Sequence, residues 1–175
     1  GFARTGEWFA WQHHFDAQGR VRPDVVTMAK ALGNGVPIGA IWAKREIAGA
    51  FQPGDHATTY GGQPLATSAA RAVLRVMESI DAPALARSAG EELMGKLLAV
   101  PNVLDTRGLG LLIAAEIDTE TVGMTGPEIA LACLKEGLVV NGISPTAIRL
   151  APPLTVSSEE IDEAMTKLSK VLGGS

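Results

Sequence analysis

Residues 23–40 read PDVVTMAKALGNGVPIGA, which places Lys30 between a β-branched run and a glycine-rich turn. Residues 25–29 predict a short buried strand, residues 33–37 a tight turn, and residues 38–43 a second apolar strand. In such apolar surroundings desolvation favours the neutral amine, and a neutral lysine is a nucleophile that can attack a carbonyl carbon. The alternative is a lysine at a strand end whose ammonium group reaches water.

A second candidate site lies in the polar loop of residues 56–63, where Thr58 and Thr59 precede a glycine pair. Pro64 follows and predicts the first turn of a helix that extends to about Ile80. Hydroxyls, exposed backbone N–H groups and a helix N-terminus together suit a phosphate group. The alternative is an ordinary turn whose threonines cap the helix. The apolar residues expected on one side of this helix are Leu65, Ala69, Val73, Val76, Met77 and Ile80.

A third candidate is Arg149, which lies between Ile148 and Leu150 in a predicted apolar strand at residues 147–150. A guanidinium group cannot lose its charge, so an arginine in such a strand requires an anionic partner. The partner could be a substrate carboxylate held by two parallel hydrogen bonds. The alternative is a structural aspartate or glutamate.

The chain changes character near residue 82, where Asp81-Ala82-Pro83 looks like a boundary. The first part is rich in loops, and the second reads as a compact α+β unit. The second part is predicted to contain a helix with Leu85, Ala89, Leu93 and Leu97 at four-residue spacing, and two strands around Gly108 within residues 103–117. Further strands are predicted at residues 138–140 and 147–150. Helices are predicted to start from capping boxes at residues 125–128 and 157–160, and the second of these helices has an apolar face formed by Ile161, Met165, Leu168 and Leu172.

Composition narrows the function classes. The 175 residues are 46% hydrophobic with a net charge of −4, and the basic residues are scattered, which argues against nucleic-acid binding and against a membrane-surface role. The single cysteine, Cys133, excludes an internal disulfide, suits a cytoplasmic protein and is expected in the core. His13 and His14 have no neighbouring ligand cluster in the sequence, so no metal site is predicted.

Four segments occur in an order that resembles class III (subgroup II) aminotransferases. Residues 4–10 together with 23–40 resemble the cofactor-lysine block of that family, and residues 56–65 resemble its phosphate-contact loop. Residues 107–111 and 148–154 are similar to its two C-terminal signatures. The resemblance covers essentially the whole chain.

The resemblance implies an α/β fold of the fold type I class of pyridoxal-phosphate enzymes. Residues 1–82 would be the C-terminal part of the large cofactor-binding domain, and residues 83–175 the small C-terminal α+β domain. Lys30 would bond covalently to pyridoxal 5'-phosphate (PLP) and then act as general acid and base. Thr59 would bind the PLP phosphate across the interface of a homodimer, and Arg149 would hold the α-carboxylate of the amino-acid substrate.

Within the class, the amino-acid sequences of residues 107–111, 138–141 and 149–154 are most similar to those of the acetylornithine branch. The implied reaction transfers an amino group from N-acetylornithine to 2-oxoglutarate, a step of arginine synthesis. The ornithine, succinylornithine and 4-aminobutyrate branches are neighbours. Ala57 and Gln63 stand where the family usually has glycine and asparagine, and both departures are mild.

The resemblance also implies groups outside this sequence. In the family, an aspartate that pairs with the pyridine nitrogen of PLP, a glycine-rich phosphate loop and a ring-stacking aromatic residue lie upstream of the position of Gly1. We therefore expect a C-terminal portion that lacks most activity without its N-terminal half, with open sheet edges and uncovered apolar surface. The alternative is a non-catalytic remnant that only binds a partner subunit.

Overall fold

The computed structural model describes residues 2–173, which form two compact units. The first unit consists of residues 2–3 and 7–81, and the second of residues 4–6 and 82–173. Within the described residues, no helix has both the length and the apolar character needed to cross a membrane. The division into domains at residues 1–82 and 83–175 stays a prediction.

The first unit contains two small antiparallel sheets, β1 with β2 and β3 with β4. Its elements are a 3-10 helix at Ala10–His13, strands β1 (Phe15–Asp16), β2 (Gly19–Arg20) and β3 (Val25–Met28), a 3-10 helix at Lys30–Leu32, strand β4 (Ala40–Ala43), and helices α1 (Arg45–Ala48) and α2 (Pro64–Ser79). The two predicted strands on either side of Lys30 are therefore present. The prediction that the first of them is buried was wrong, because a two-stranded sheet has no inner strand and buries little surface.

Helix α2 begins at Pro64 as predicted, and four of the six residues expected on one side are buried or half-buried: Ala69, Val73, Met77 and Ile80. Ala70 and Met77, two helical turns apart, are buried. Leu65 and Val76 were expected on the inward side, yet 78% and 57% of their surfaces are exposed. The sequence pattern therefore predicted four residues of the covered side and misplaced Leu65 and Val76.

The second unit is a four-stranded antiparallel sheet with helices on one face. Its elements are α3 (Ala82–Leu98), β5 (Val103–Leu109), β6 (Leu112–Ile117), α4 (Thr119–Val122), α5 (Gly126–Lys135), β7 (Asn141–Gly142), β8 (Ala147–Leu150) and α6 (Ser158–Val171), and the strand order is β5-β6-β8-β7. Two predictions need correction. The β5–β6 turn lies at residues 110–111 rather than at Gly108, and residues 138–140 are not a strand, since pairing with β8 begins only at Asn141.

The inner face of this sheet and the helices α3, α5 and α6 enclose the core. Its buried residues include Leu93, Leu97, Leu111, Ile113, Ala115, Ile117, Ile129, Cys133, Ile148, Leu150, Ile161, Met165, Leu168 and Leu172. All four residues predicted for the apolar face of α6 are in this set. Both capping boxes are confirmed, since the backbone N–H groups of Thr125 and Ser157 each donate to the glutamate three residues later at 2.8 Å.

Two glycines allow three backbone segments to meet beside the β5–β6 turn. A Cβ atom at Gly110 would lie 2.5 Å from the carbonyl oxygen of Arg4, and one at Gly90 in α3 would overlap the carbonyl oxygen of Gly110. The backbone N–H of Leu111 donates to the Arg4 carbonyl at 2.8 Å. Arg4-Thr5-Gly6 and Arg107–Leu111, two of the segments that carry the resemblance, therefore pack against each other and support the fold of the second unit.

The buried Cys133 thiol is expected to react slowly in the folded chain. Burial raises the pKa of this thiol to about 11. At pH 8 only about one molecule in a thousand then carries the reactive thiolate. The rate of modification by a chromogenic disulfide reagent at pH 8 should increase at least about a hundredfold when urea unfolds the chain. Equal rates in the folded and unfolded chain would contradict this prediction.

Candidate cofactor and substrate site

Lys30 follows β3 directly and begins the 3-10 helix Lys30–Leu32, whose Leu32 is buried. The backbone N–H of Gly33 donates to the Lys30 carbonyl at 3.1 Å and closes this short helix. The Lys30 side chain is exposed. The apolar, desolvated surroundings expected for it are therefore not provided by the described residues, because β4 is the only strand that pairs with β3.

The backbone at Lys30 is strained in a way that the sequence does not reveal. Lys30 has φ +54°, and Asn34 and Gly35 in the following turn have φ +44° and +108°. The left-handed conformation costs a residue with a Cβ atom about 1–2 kcal/mol, whereas glycine adopts it freely. Strain of this kind is concentrated at functional sites. The conformation of Lys30 is thus an independent reason to examine it as a site residue.

A shallow cavity of about 430 Å³ opens beside the Lys30 side chain. Its remaining lining comes from the turn: Ala31, Asn34, Gly35, Val36, Pro37 and Ile38. The tightness of this turn depends on Gly33, because a Cβ atom there would overlap the carbonyl oxygen of Val36. An exposed amine at the edge of a cavity can meet a carbonyl-containing ligand.

Thr59 lies in the exposed loop that precedes α2. The N-cap residue of α2 is Gln63, and the first turn of α2 has no side-chain capping hydrogen bond. The alternative in which the threonines cap the helix is therefore wrong. Within residues 2–173 the Thr59 hydroxyl has no hydrogen-bond partner, so it is available to a ligand. Thr59 and Lys30 belong to the same unit but are not joined by a hydrogen bond.

Arg149 lies on β8 in the second unit, with its side chain exposed between the buried Ile148 and Leu150. Its Nη2 donates to Oδ1 of Asn141 on β7 at 3.2 Å. Among residues 2–173 no carboxylate forms an ion pair with Arg149. The alternative of a structural aspartate or glutamate partner is therefore wrong for the described chain, and the guanidinium group keeps most of its donors free for a ligand.

The outer face of the sheet carries a row of four residues that are paired across the strands. The register pairs Arg107 with Ala114, Ala114 with Arg149, and Arg149 with Asn141. Arg107 differs from Arg149 because its Nη1 lies 3.0 Å from Oε2 of Glu116. Hydrogen bonds from Thr146 and Arg107 hold the pKa of Glu116 below its ordinary value. Of the two arginines in the row, Arg149 is the one without a carboxylate.

The segment that follows Arg149 is anchored by Arg4. Nη1 of Arg4 donates to the carbonyl oxygens of Leu111 at 3.1 Å and Pro152 at 2.7 Å. Burial lowers the pKa of Arg4 from its ordinary value. Sequence patterns did not identify Arg4 and Asn141 as supports of the Arg149 segment. Arg4 could have been found because it lies in residues 4–10, one of the segments that carry the resemblance. Asn141 was missed because the strand predicted at residues 138–140 ended one residue before it.

Within the described part of the chain, no three histidine, cysteine, aspartate or glutamate side chains are grouped so that they could hold a metal ion. The three candidate site residues supply an amine, a hydroxyl and a guanidinium group.

The comparison with protein families decides the family. The sequence model of the aminotransferase class-III family matches residues 1–172. The chain belongs to the class III aminotransferases. Curated members of this family that are similar to the chain include acetylornithine aminotransferases of Corynebacterium efficiens, 42% identical over 172 residues, and of Methanocaldococcus jannaschii, 41% identical over 175 residues. Each alignment covers 98% of this chain, but only 40% of the length of the Corynebacterium enzyme and 42% of the length of the Methanocaldococcus enzyme.

Solved structures of class III aminotransferases share the fold. An S-selective transaminase from Arthrobacter sp. matches with a TM-score of 0.84 at 28% identity, over 98% of this chain and 42% of that one. The ornithine aminotransferase of Toxoplasma gondii matches with a TM-score of 0.83 at 29% identity, over 98% and 41%. The fold is therefore a portion of the fold type I architecture of PLP-dependent transaminases, as the resemblance implied. Enzymes of this family use PLP, and a second structure of the Toxoplasma enzyme is described with PLP at its active site.

Proposed function

We propose that the protein is the C-terminal portion of a PLP-dependent aminotransferase in which Lys30 carries the cofactor, Thr59 binds its phosphate and Arg149 holds the substrate carboxylate. The observation that carries the proposal is Lys30, an exposed amine on strained backbone at the edge of a cavity. The donor set fits PLP, because an amine matches its aldehyde and a hydroxyl its phosphate. The guanidinium group of Arg149 matches the carboxylate of an amino acid.

When bound, PLP supplies an electrophilic carbon and an electron sink. The residues of this chain would bind the phosphate and the substrate carboxylate and would transfer the proton. Thr59 would donate a hydrogen bond from its hydroxyl to the phosphate. Arg149 would donate two parallel hydrogen bonds to the α-carboxylate and so orient the substrate. Once its amine is free, Lys30 would act as the general base that takes the proton from the amine-bearing carbon of the substrate, and as the general acid that holds this proton for its return.

The proposed reaction converts N-acetylornithine and 2-oxoglutarate to N-acetylglutamate 5-semialdehyde and glutamate. Support comes from the curated relatives named acetylornithine aminotransferase, which are about 40% identical to this chain. Ornithine is the second candidate amino donor, because an ornithine aminotransferase is among the similar structures. Succinylornithine and 4-aminobutyrate are further candidates, and a non-catalytic partner-binding chain is the alternative outside the enzyme class.

We also propose that the complete enzyme is a cytoplasmic homodimer that requires an N-terminal half. Large apolar side chains beside Thr59 support an interface there, since Tyr60 is 79% and Leu65 78% exposed. A single, reduced cysteine is consistent with the cytoplasm.

The proposed function is tested by assaying the longest form of the protein that its source encodes. N-acetylornithine and 2-oxoglutarate should yield glutamate in a PLP-dependent manner, with ornithine, succinylornithine and 4-aminobutyrate as competing donors. A higher kcat/KM for one of those three donors would reassign the substrate. Lack of glutamate formation with every donor would contradict the enzyme proposal.

Arg149→Ala in the same protein is expected to raise KM for the amino donor and for 2-oxoglutarate about 10- to 100-fold, because a bidentate charged contact is lost. The visible absorbance of bound PLP should persist. Arg107→Ala is the control, since Arg107 lies in the same cross-strand row but is paired with Glu116. Equal increases in KM in both variants, or loss of PLP absorbance in Arg149→Ala, would point to a structural role.

A further inference from the structure

Asn141 is the residue that contacts the Arg149 guanidinium group in the described chain. We infer that Asn141 is a positioning residue: its side-chain oxygen orients Arg149 for the substrate carboxylate without cancelling the charge of the guanidinium group. This inference rests on the proposed function, because it concerns the same carboxylate site.

In the part of the chain that the structure describes, Asn141 is the one polar side chain that contacts Arg149. Asn141 faces it across the β7–β8 pair, and Ala114 faces it across the β6–β8 pair. The alanine side chain has no polar atom, so the contact with Asn141 at 3.2 Å sets the orientation of the guanidinium group. A guanidinium group has five N–H donors, so one contact leaves enough donors for a bidentate carboxylate.

The backbone that carries Asn141 is held firmly. Gly142 packs so closely on the start of α5 that a Cβ atom there would overlap the backbone of Gly126 and Pro127. The backbone N–H of Gly126 donates to the Pro145 carbonyl at 2.7 Å, which ties α5 to the β7–β8 connection. Asn141 therefore presents its amide from a fixed position, as a preorganised binding site requires.

The charge of the residue at position 141 decides how well Arg149 can bind. An amide oxygen accepts a hydrogen bond but adds no net charge. A carboxylate at the same position would form an ion pair with Arg149, and a substrate carboxylate would have to compete with it. An alanine would leave Arg149 charged but free to adopt several rotamers, so its carboxylate affinity would fall less.

The test compares Asn141→Asp and Asn141→Ala in the longest form that the source encodes. Asn141→Asp is expected to raise KM for the amino donor and 2-oxoglutarate at least about tenfold while kcat changes less than about threefold, and Asn141→Ala about threefold in KM. Calorimetry with glutarate, a dicarboxylate without a reacting group, should show the same order of affinities. Val139→Asp adds the same charge at a site that is 80% exposed, and it should behave like the wild type.

The possible outcomes distinguish the role of Asn141 from the proposed function. Wild-type KM and glutarate affinity in Asn141→Asp, in a protein whose Arg149→Ala variant is impaired, would overturn the role of Asn141 and leave the proposed function intact. An equal loss in Val139→Asp would also overturn it, since any added charge would then suffice. A wild-type protein that neither transaminates nor binds glutarate would overturn both. Because Asn141 is exposed, Asn141→Ala should keep its fold, and its loss of carboxylate affinity alone would support the role.

Discussion

Lys30→Ala is expected to abolish covalent attachment of PLP to the protein. The exposed Lys30 amine borders the turn cavity, and its left-handed backbone is the kind of strain that accompanies function. The longest form that the source encodes would be incubated with PLP, reduced with borohydride and mapped by peptide mass spectrometry. The wild type should give one modified peptide, which contains Lys30, together with a visible absorbance that the variant lacks.

The matched control is Lys44→Ala. Lys44 also belongs to the first unit, but its Nζ lies 2.5 Å from Oδ1 of Asp24. A hydrogen bond from this lysine to Asp24 holds the pKa of Lys44 above its ordinary value, which disfavours its neutral, nucleophilic form. Lys44→Ala should therefore leave the modified Lys30 peptide unchanged. A PLP adduct that persists in Lys30→Ala would remove Lys30 from its proposed role.

Gly90→Ala is expected to lower the free energy of unfolding of the second unit by roughly 1–3 kcal/mol. Gly90 is buried in α3, and a Cβ atom there would overlap the carbonyl oxygen of Gly110, which is itself fixed against Arg4. The added methyl group meets backbone rather than a flexible side chain, so relief requires α3 or the β5–β6 turn to shift. Urea unfolding followed by circular dichroism would measure the change.

Gly95→Ala on the same helix provides the matched control. Gly95 is exposed, and nothing lies within 4 Å of the position that its Cβ atom would occupy. Alanine has a higher helix propensity than glycine, so this variant should raise the free energy of unfolding by up to about 1 kcal/mol. The opposite signs distinguish close packing from helix propensity. A gain in stability from both substitutions would contradict the close approach of α3 to the β5–β6 turn.

Local patterns predicted those parts of the fold that depend on neighbours in sequence. The capping boxes at Thr125 and Ser157 are formed by residues three positions apart, and the buried stripe of α6 repeats every three to four residues. Such contacts form within one element, so the residue order contains the necessary information. The start of α2 at Pro64 was predicted for the same reason.

Sequence patterns gave wrong predictions of strands and burial where these depend on pairing between distant segments. Residues 138–140 look like a strand by composition, but Val139 is 80% exposed and the pairing with β8 begins at Asn141. The burial of β3 and the exposure of Leu65 and Val76 on α2 were misjudged because apolar composition does not state what covers a side chain. The register of a strand is set by its partner, and composition alone cannot supply it.

The sequence by itself determined the family, the order of the recognised segments and the three candidate site residues, Lys30, Thr59 and Arg149. Tertiary structure alone decided that Arg107 is paired with Glu116 whereas Arg149 faces an asparagine. It also brought Arg4 to the carbonyl oxygen of Pro152, across 148 positions of sequence. The physical reason is that cross-strand register and backbone packing determine these contacts, and both depend on how distant segments meet rather than on any local run of residues.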